Sequence, residues 1–499
     1  MTPVNPNKLS HKQLKGVISS KLFTKVKFSP DGEFEKWKAR LVAGGHMQNR
    51  EEYTYAETSS PTVGTTAILT VSAIAAKERR KTAAVDFTAA YLNAKMKDGK
   101  LILMRLSRET SAILCLLVPA YSAYLRADGT MIVKLTKALY GCVESAKLWY
   151  NSISETLIAD GFVRNPKEPC VFNRIVGGKQ ITICLYVDDL LITCVDESTI
   201  NATVEMLRGK YSDMTHTVSN RLKYVGMILD FSTEGKCKVS MPNFLDTVVS
   251  DVGVTTSAPT PAAVDLFATR DADVALSTEK AEQFHSIVMK LQYLAKRVRP
   301  DILLPVVFLS SRVTKSTDRD WSKLERVARY LKGTRDLCLR LKPDDGLVSI
   351  YAFIDASFAV HHDFKSHTGA VITFGQGCVF FKSTKQKLNT KSSTEAELVG
   401  ISDALTTVIW IRDFLLGQGH DVGPAVLYQN NMSTIALVEN GQASNERSRH
   451  INIKFFFVSD RVEKGEIVIK YMPTDDMIAD LLTKPLQGEK FRAMRDKIL

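Results

Sequence analysis

Paired cysteines are missing from this chain. Its eight cysteines are scattered (Cys115, Cys142, Cys170, Cys184, Cys194, Cys237, Cys338, Cys378), and none stands in a Cys-x-x-Cys spacing. That leaves neither a disulfide framework nor a zinc site, and they are expected as reduced core residues of an intracellular protein. Long apolar runs are missing too. The most apolar segment, Ile113 to Pro119, is far too short to span a bilayer, so no membrane partner is expected. The polar start has no apolar leader core, which argues against secretion. No low-complexity tract or short-period repeat is present, which leaves a compact enzyme or binder.

What is present is 499 residues, 45% of them hydrophobic, enough for about three globular domains. Lys and Arg number 66 against 54 Asp and Glu, a formal charge of +12 with a pI near 9.1. Such an excess favours a polyanionic partner, nucleic acid first, although a merely solvated surface carries charge as well.

The most informative stretch is Ile181 to Val195, two β-branched-rich runs around a tip read as Asp188-Asp189. The alternation predicts a β-hairpin. Its tip chemistry is odd, because two-residue turns favour Asn-Gly or Asp-Gly and adjacent carboxylates repel. A solvated acidic turn is the plainer reading. The apolar flanks favour a divalent-cation site of hard oxygen ligands on a rigid support.

In chain order, residues 1–20 read as a loose tail. Leu22 to Phe28 and Glu35 to Val42 read as strands about the turn Ser29-Pro30-Asp31-Gly32. Lys25, Lys27, Lys36, Lys38 and Arg40 on this ribbon suit either a solvated face or a triphosphate grip. Thr62 to Lys77 is an amphipathic helix candidate, and Thr82 to Phe87 a strand ending near Asp86. Tyr91 opens a helix-like AAYLNA segment. Lys134 to Leu139 reads as a strand, followed by a helix through Trp149 to about Gly161. Arg221 to Asp230 reads as a strand pair. A sheet with helices behind it and acids on one edge is the economical arrangement.

Residues 240 to 345 read as helical and basic, with helices over Glu279 to Arg297 and Trp321 to Lys332. Beyond them, Ser349 to Asp355, Gly369 to Phe374 and Cys378 to Phe381 read as strands. A helix starts near Ser393, where Thr394 and Glu397 have capping-box spacing. Strands over Ala425 to Gln429 and Glu466 to Met472 enclose a basic helix (Arg447 to Lys464), and a terminal helix holds Asp480.

Five ordered blocks, KARLVAGG (Lys38 to Gly45), VDFTAAYLNA (Val85 to Ala94), ALYGCVESAKLWY (Ala138 to Tyr150), YVDD (Tyr186 to Asp189) and KYVGMIL (Lys223 to Leu229), resemble a reverse transcriptase of the copia-type LTR retrotransposon Pol family. The resemblance continues through LQYLAKRVRPDI (Leu291 to Ile302) and ARYLKGT (Ala328 to Thr334). STEAEL (Ser393 to Leu398) and ADLLTKPL (Ala479 to Leu486) then resemble the family's ribonuclease H portion. It implies an α+β chain: reverse transcriptase fingers and palm over 21–240, a helical thumb and connection over 241–345, and an α/β ribonuclease H-like domain over 346–499.

Carried onto this sequence, the resemblance implies a polymerase centre in which Asp86, Asp188 and Asp189 are catalytic and hold two Mg²⁺ ions, with Mn²⁺ as the alternative. It implies nucleotide contacts from Lys38, Arg40, Tyr91, Tyr140 and Gly141, and a primer grip from Tyr224, Gly226 and Met227. In the second centre Asp355, Glu397 and Asp480 match three of four metal-binding carboxylates, and the remaining position is Asn430. The expected activity is RNA- and DNA-directed DNA polymerisation, with ribonuclease H weakened by Asn430. The partners implied are an RNA template, a DNA primer, an RNA–DNA hybrid and dNTPs, with self-association or integrase besides. The location implied is cytoplasmic with access to the nucleus. Departures at Gly45, Val143, Glu144, Ala146 and Asn430 keep a second expectation open, a degenerate remnant that only binds nucleic acid. Glu144 in particular is expected to place negative charge where phosphates approach.

Overall fold

The computed structural model describes residues 1–28, 34–211, 214–270, 272–344, 349–439 and 449–499. The turn expected at Ser29 to Gly32 and the start of the helix expected from Arg447 lie outside them. So does the side chain of Lys27.

Residues 1–20 are not loose. Thr2–Pro3 pairs with Val133 and Lys134, and Ser10 caps a short helix, His11–Lys15, through a capping box with Gln13. Strands β1 (Ser20–Phe28) and β2 (Phe34–Ala43) then form a two-stranded ribbon. Period-two alternation sorts its residues. Lys25 faces Lys38 and Phe23 faces Arg40 on one side, while Leu22, Val26, Trp37 and Leu41 share the other.

Helix α1 (Thr65–Lys77) is buried from Ala67 to Ala76. It precedes β3 (Lys81–Phe87), β4 (Leu103–Leu106), β5 (Met131–Lys134) and α2 (Ser145–Ala159). The strand expected over Lys134 to Leu139 ends where that stretch begins. Leu135 to Leu139 instead runs irregularly along the 94–96 segment. AAYLNA closes as a 3₁₀ turn, Ala90–Asn93, rather than a helix.

Strands β6 (Val163–Asn165), β7 (Glu168–Val176), β8 (Lys179–Tyr186), β9 (Asp189–Cys194) and β10 (Met214–Val218) complete the palm sheet, in the order β10-β3-β9-β8-β7-β6. Helices α2 and α3 (Glu197–Lys210) pack behind it, with Ile153, Leu157, Ile200 and Val204 in its core.

A second sheet begins with the hairpin β11 (Arg221–Tyr224) and β12 (Met227–Asp230), adds β13 (Cys237–Ser240), and is joined by β14 (Leu339–Pro343) from beyond the helices. The 241–345 segment is therefore not wholly helical. It holds α4 (Pro242–Val252), α5 (Thr278–Ala295, capped by Ser277), α6 (Leu303–Ser310) and α7 (Asp318–Gly333).

The last module is a mixed sheet of order β17-β16-β15-β18-β19. Its strands are β15 (Tyr351–Ser357), β16 (His367–Thr373), β17 (Cys378–Lys385), β18 (Ala425–Gln429) and β19 (Ile467–Tyr471). Helices α8 (Ser393–Gly417), α9 (Arg449–Glu463) and α10 (Gly488–Ile498) accompany it. The end of α8 docks on the palm: Asn165 Nδ2 donates to the Phe414 carbonyl at 2.9 Å, and Lys167 pairs with Asp413 at 2.8 Å. All eight cysteines are free, six of them buried. Among the described residues no helix is long and apolar enough to cross a membrane.

Candidate active sites

Backbone register brings the palm carboxylates together. Asp86, at the end of β3, lies directly opposite Asp189 on β9, and Asp189 in turn opposes Tyr186 on β8. Directly opposed residues put their side chains on the same face, with Cβ atoms about 5 Å apart. The two-residue tip is therefore Val187-Asp188, not Asp188-Asp189. Asp189 is the first residue of β9.

Val187 has φ +56°, a left-handed value that is costly for a β-branched residue. Two hydrogen bonds hold this strained turn. Trp149 Nε1 donates to the Val187 carbonyl at 2.6 Å, and the Phe87 N–H donates to the Asp188 carbonyl at 2.9 Å. Phe87, Trp149 and Tyr211 pack edge to face beneath it.

The electrostatics follow from this crowding. Partial burial, then Asp188 and Asp86, push Asp189 up to about 6. Burial and Asp86 also raise Asp188, against Arg40 and Lys38, which pull it down. A cation placed here relieves that repulsion. Among the described residues no group of three or more His, Cys, Asp or Glu side chains stands preassembled around a metal position. Mg²⁺ sites commonly use one or two carboxylates plus substrate phosphates, not a closed protein cage, so three hard-oxygen donors at this tip fit such an ion.

Asp86 and Asp188 open onto a cavity of about 870 Å³ whose other walls include Lys36, Lys38, Arg40 and Tyr140. Arg40 lies over the Tyr140 ring at 5.5 Å, and Tyr140 packs on Tyr91 with ring centroids 4.5 Å apart. Burial raises both phenols, and Asp188 adds to it. Gly141 has φ +94°, and a Cβ there would meet the Ala43 carbonyl oxygen at 2.1 Å.

Gly45 approaches the same loop from the ribbon side, its Cβ position 1.9 Å from the Gly141 oxygen. The glycine at 45 is thus a packing requirement of this backbone. Glu144 does not reach the cleft. It is buried, accepting from Gln48 Nε2 at 3.0 Å and from the Tyr53 hydroxyl at 2.9 Å. Contrary to expectation, its charge faces Gln48 and Tyr53 and not the cavity walled by Lys38 and Arg40.

The residues expected to form a primer grip divide. Tyr224 and Met227 are core side chains, and the Tyr224 hydroxyl donates to the Cys184 carbonyl at 2.8 Å. Only the backbone turn Val225-Gly226, at φ +49° and +79°, is left to face a ligand.

In the last module Asp355 (β15), Glu397 (α8) and Asp480 are all buried. Asp480 sits in a 3₁₀ turn, Ile478–Leu482, not in the terminal helix. Glu397 closes no cap. Ser392 is the N-cap and accepts from the Glu395 N–H, while Glu397 turns inward. Burial and then Asp355 raise both Glu397 and Asp480.

Asn430 follows the end of β18, parallel and adjacent to β15. Its N–H, like that of Asn431, is held by the Gln429 side-chain oxygen. Gln429 Nε2 donates to Glu397 at 3.2 Å. Lys484 Nζ lies 2.7 Å from Asp480 and 3.3 Å from Asp355, and the Thr483 hydroxyl donates to Asp355. Trp149, Gln429 and Lys484, which bond the Val187 carbonyl, Glu397 and the Asp355/Asp480 pair, carry no signal for these contacts in the sequence. Lys484 stands inside the quoted ADLLTKPL block, four residues after its carboxylate. Hard oxygens of three buried acids again fit a divalent ion.

A palm sheet with carboxylates at a hairpin tip, a cationic ribbon over it and a ribonuclease H-like sheet behind defines a right-hand polymerase of the retroviral kind. The chain belongs to the reverse transcriptase (RNA-dependent DNA polymerase) family, whose model matches residues 11–264. It is 30% identical over 481 residues to the retrovirus-related Pol polyprotein from transposon RE2 of Arabidopsis thaliana, covering 96% of this chain and 31% of that protein. It is 26% identical to that from transposon TNT 1-94 of Nicotiana tabacum, covering 96% of this chain and 35% of that one. These relatives are copia-type Pol polyproteins, and the chain spans about a third of their length. Among solved structures, the foamy viral protease–reverse transcriptase in complex with double-stranded DNA aligns with TM-score 0.50 and 13% identity. It covers 91% of this chain and 67% of that chain, a likeness of fold.

Proposed function

We propose that this chain is the RNA- and DNA-directed DNA polymerase of a copia-type retrotransposon, with an attached ribonuclease H-like module. The observation that carries the reading is the opposition of Asp86 and Asp189 beside Asp188, at the mouth of a cavity walled by Lys38 and Arg40. Lys38 and Arg40 bind the triphosphate of a dNTP, Arg through its planar fork. Tyr91, braced by Tyr140, blocks a ribose 2′-hydroxyl, and the Val225-Gly226 backbone positions the primer end.

Asp86, Asp188 and Asp189 would hold two divalent ions, which when bound would supply charge neutralisation at the reacting phosphate and a more acidic primer 3′-hydroxyl. The proposed segments are fingers and palm over 21–240, thumb and connection over 241–345, and ribonuclease H over 346–499. The family departures that suggested a merely binding remnant have local packing causes at Gly45 and Glu144. Primer extension on an RNA template with Mg²⁺ and dNTPs tests the reading against Asp188→Asn. Equal extension by both proteins refutes it.

In the second module Asp355, Glu397 and Asp480 would hold divalent ions, and uncharged Asn430 would weaken the set by one anion. Hybrid cleavage is expected to rise on Asn430→Asp. Equal, robust cleavage by both counts against that assignment.

A further inference from the structure

We propose that the Lys484 ammonium is a tethered cation standing where a divalent ion would bind between Asp355 and Asp480, so that this second centre loads an ion only when Lys484 swings out. The inference rests on the reading of Asp355, Glu397 and Asp480 as metal ligands.

Each carboxylate already has a protein donor. Lys484 Nζ is 2.7 Å from Asp480 Oδ1 and 3.3 Å from Asp355 Oδ1. The other Asp355 oxygen accepts from the Thr483 hydroxyl, and Glu397 Oε2 accepts from Gln429 Nε2 at 3.2 Å. The ammonium is delivered locally: the Lys484 N–H bonds the Asp480 carbonyl at 2.8 Å, one helical turn on. Such a short tether holds the charge near its carboxylates at high effective concentration.

The two partners differ in mobility. The Asp355 and Asp480 side chains are each 2% exposed, whereas the Lys484 side chain is 37% exposed and has a flexible stem. The carboxylates stay and the lysine leaves. Asn430 tilts the contest further, because a divalent ion entering this cluster meets three anions where four would hold it, while Lys484 keeps both of its own. Like charges at this range repel strongly in a buried site.

The test uses the full chain carrying Asp188→Asn and Asp189→Asn, which silences the polymerase centre, and follows free Mn²⁺ by electron paramagnetic resonance. With Lys484→Gln, which keeps an N–H donor without the charge, Mn²⁺ is expected to bind about tenfold more tightly, a shift of about 1.4 kcal/mol. It should also raise the thermal midpoint by more than in the Lys484 protein. Lys484→Arg is expected to behave as Lys484 does. If Lys484→Gln does not fold without the ion, recovery of its circular dichroism signal at Mn²⁺ concentrations too low to load the Lys484 protein reads the same preference. Absence of recovery counts against it. Equal or weaker binding by Lys484→Gln overturns the inference while the metal-ligand reading stands. If no variant binds Mn²⁺ beyond an Asp355→Asn control, both fall.

Discussion

The indole N–H of Trp149 is bonded to the carbonyl of Val187, the one residue of the β8–β9 hairpin held in a left-handed conformation. The helix behind the sheet thus fixes the turn that presents Asp188. Trp149→Phe keeps a ring against Phe87 and Tyr211 and removes the bond. We expect a stability loss of roughly 1 kcal/mol. We also expect primer extension to slow about tenfold, in the range seen when a reacting group is slightly misplaced. KM for dNTP should hardly change, because Lys38 and Arg40 are untouched. A loss confined to KM would assign the bond a different role.

Tyr91 packs at a tilt against Tyr140, which is itself a wall of the cationic cavity. Replacement by Val removes the ring that would meet a 2′-hydroxyl. Incorporation of ribonucleotides relative to deoxyribonucleotides is expected to rise by roughly tenfold or more, on the order of a lost steric clash of 1–3 kcal/mol. Single-nucleotide extension with matched rNTP and dNTP measures the ratio. An unchanged ratio would make Tyr91 only a packing residue.

His361 and His367 form a relay in the ribonuclease H-like module. His361 Nε2 is 3.0 Å from His367 Nδ1, and His367 Nε2 is 2.7 Å from Ser383, whose hydroxyl donates to the Leu482 carbonyl. Burial pushes the two imidazoles down to about 4 and about 3, with Lys385 lowering both and Asp363 partly opposing it at His361. As pH falls, the unfolded chain takes up these protons first, near 6.5. The pair's contribution is therefore complete above about 6.5 and is lost as pH drops toward the folded values. The thermal midpoint should fall more steeply between pH 6.5 and 4 than in His361→Gln/His367→Gln. Parallel curves would contradict this.

Much of the architecture is legible in the sequence because alternation and helical spacing extend over whole elements, as in Ile181 to Val195 and Ser145 to Ala159. Of the acidic residues, only the adjacent pair Asp188 and Asp189 stands out by its own chemistry; Asp86, Asp355, Glu397 and Asp480 are legible through the family resemblance. What eluded sequence reading depends on contacts between distant segments. The tip shifted by one residue because Asp189 is claimed by pairing with both Tyr186 and Asp86. Glu397 has capping-box spacing from Thr394, yet Ser392 takes the cap and frees Glu397 to turn inward. Tyr224 lies in a functional-looking motif, but its ring is core and its hydroxyl serves the Cys184 backbone. Glu144 changes meaning once Gln48 and Tyr53, almost a hundred residues earlier, are seen to enclose it.

Gly45→Ala is expected to destabilise the protein by about 2 kcal/mol or more, as overpacking against unyielding backbone does. Urea unfolding measures it. A neutral result would mean that the 140–142 loop yields easily.

That crossing of two backbones, each leaving room for the other only while both residues lack a side chain, ties together positions almost a hundred residues apart. A side chain at position 45 would force one of the two strands onto a different route. A ribbon that carries such a side chain should therefore fail when grafted here unless the loop after Leu139 is replaced with it.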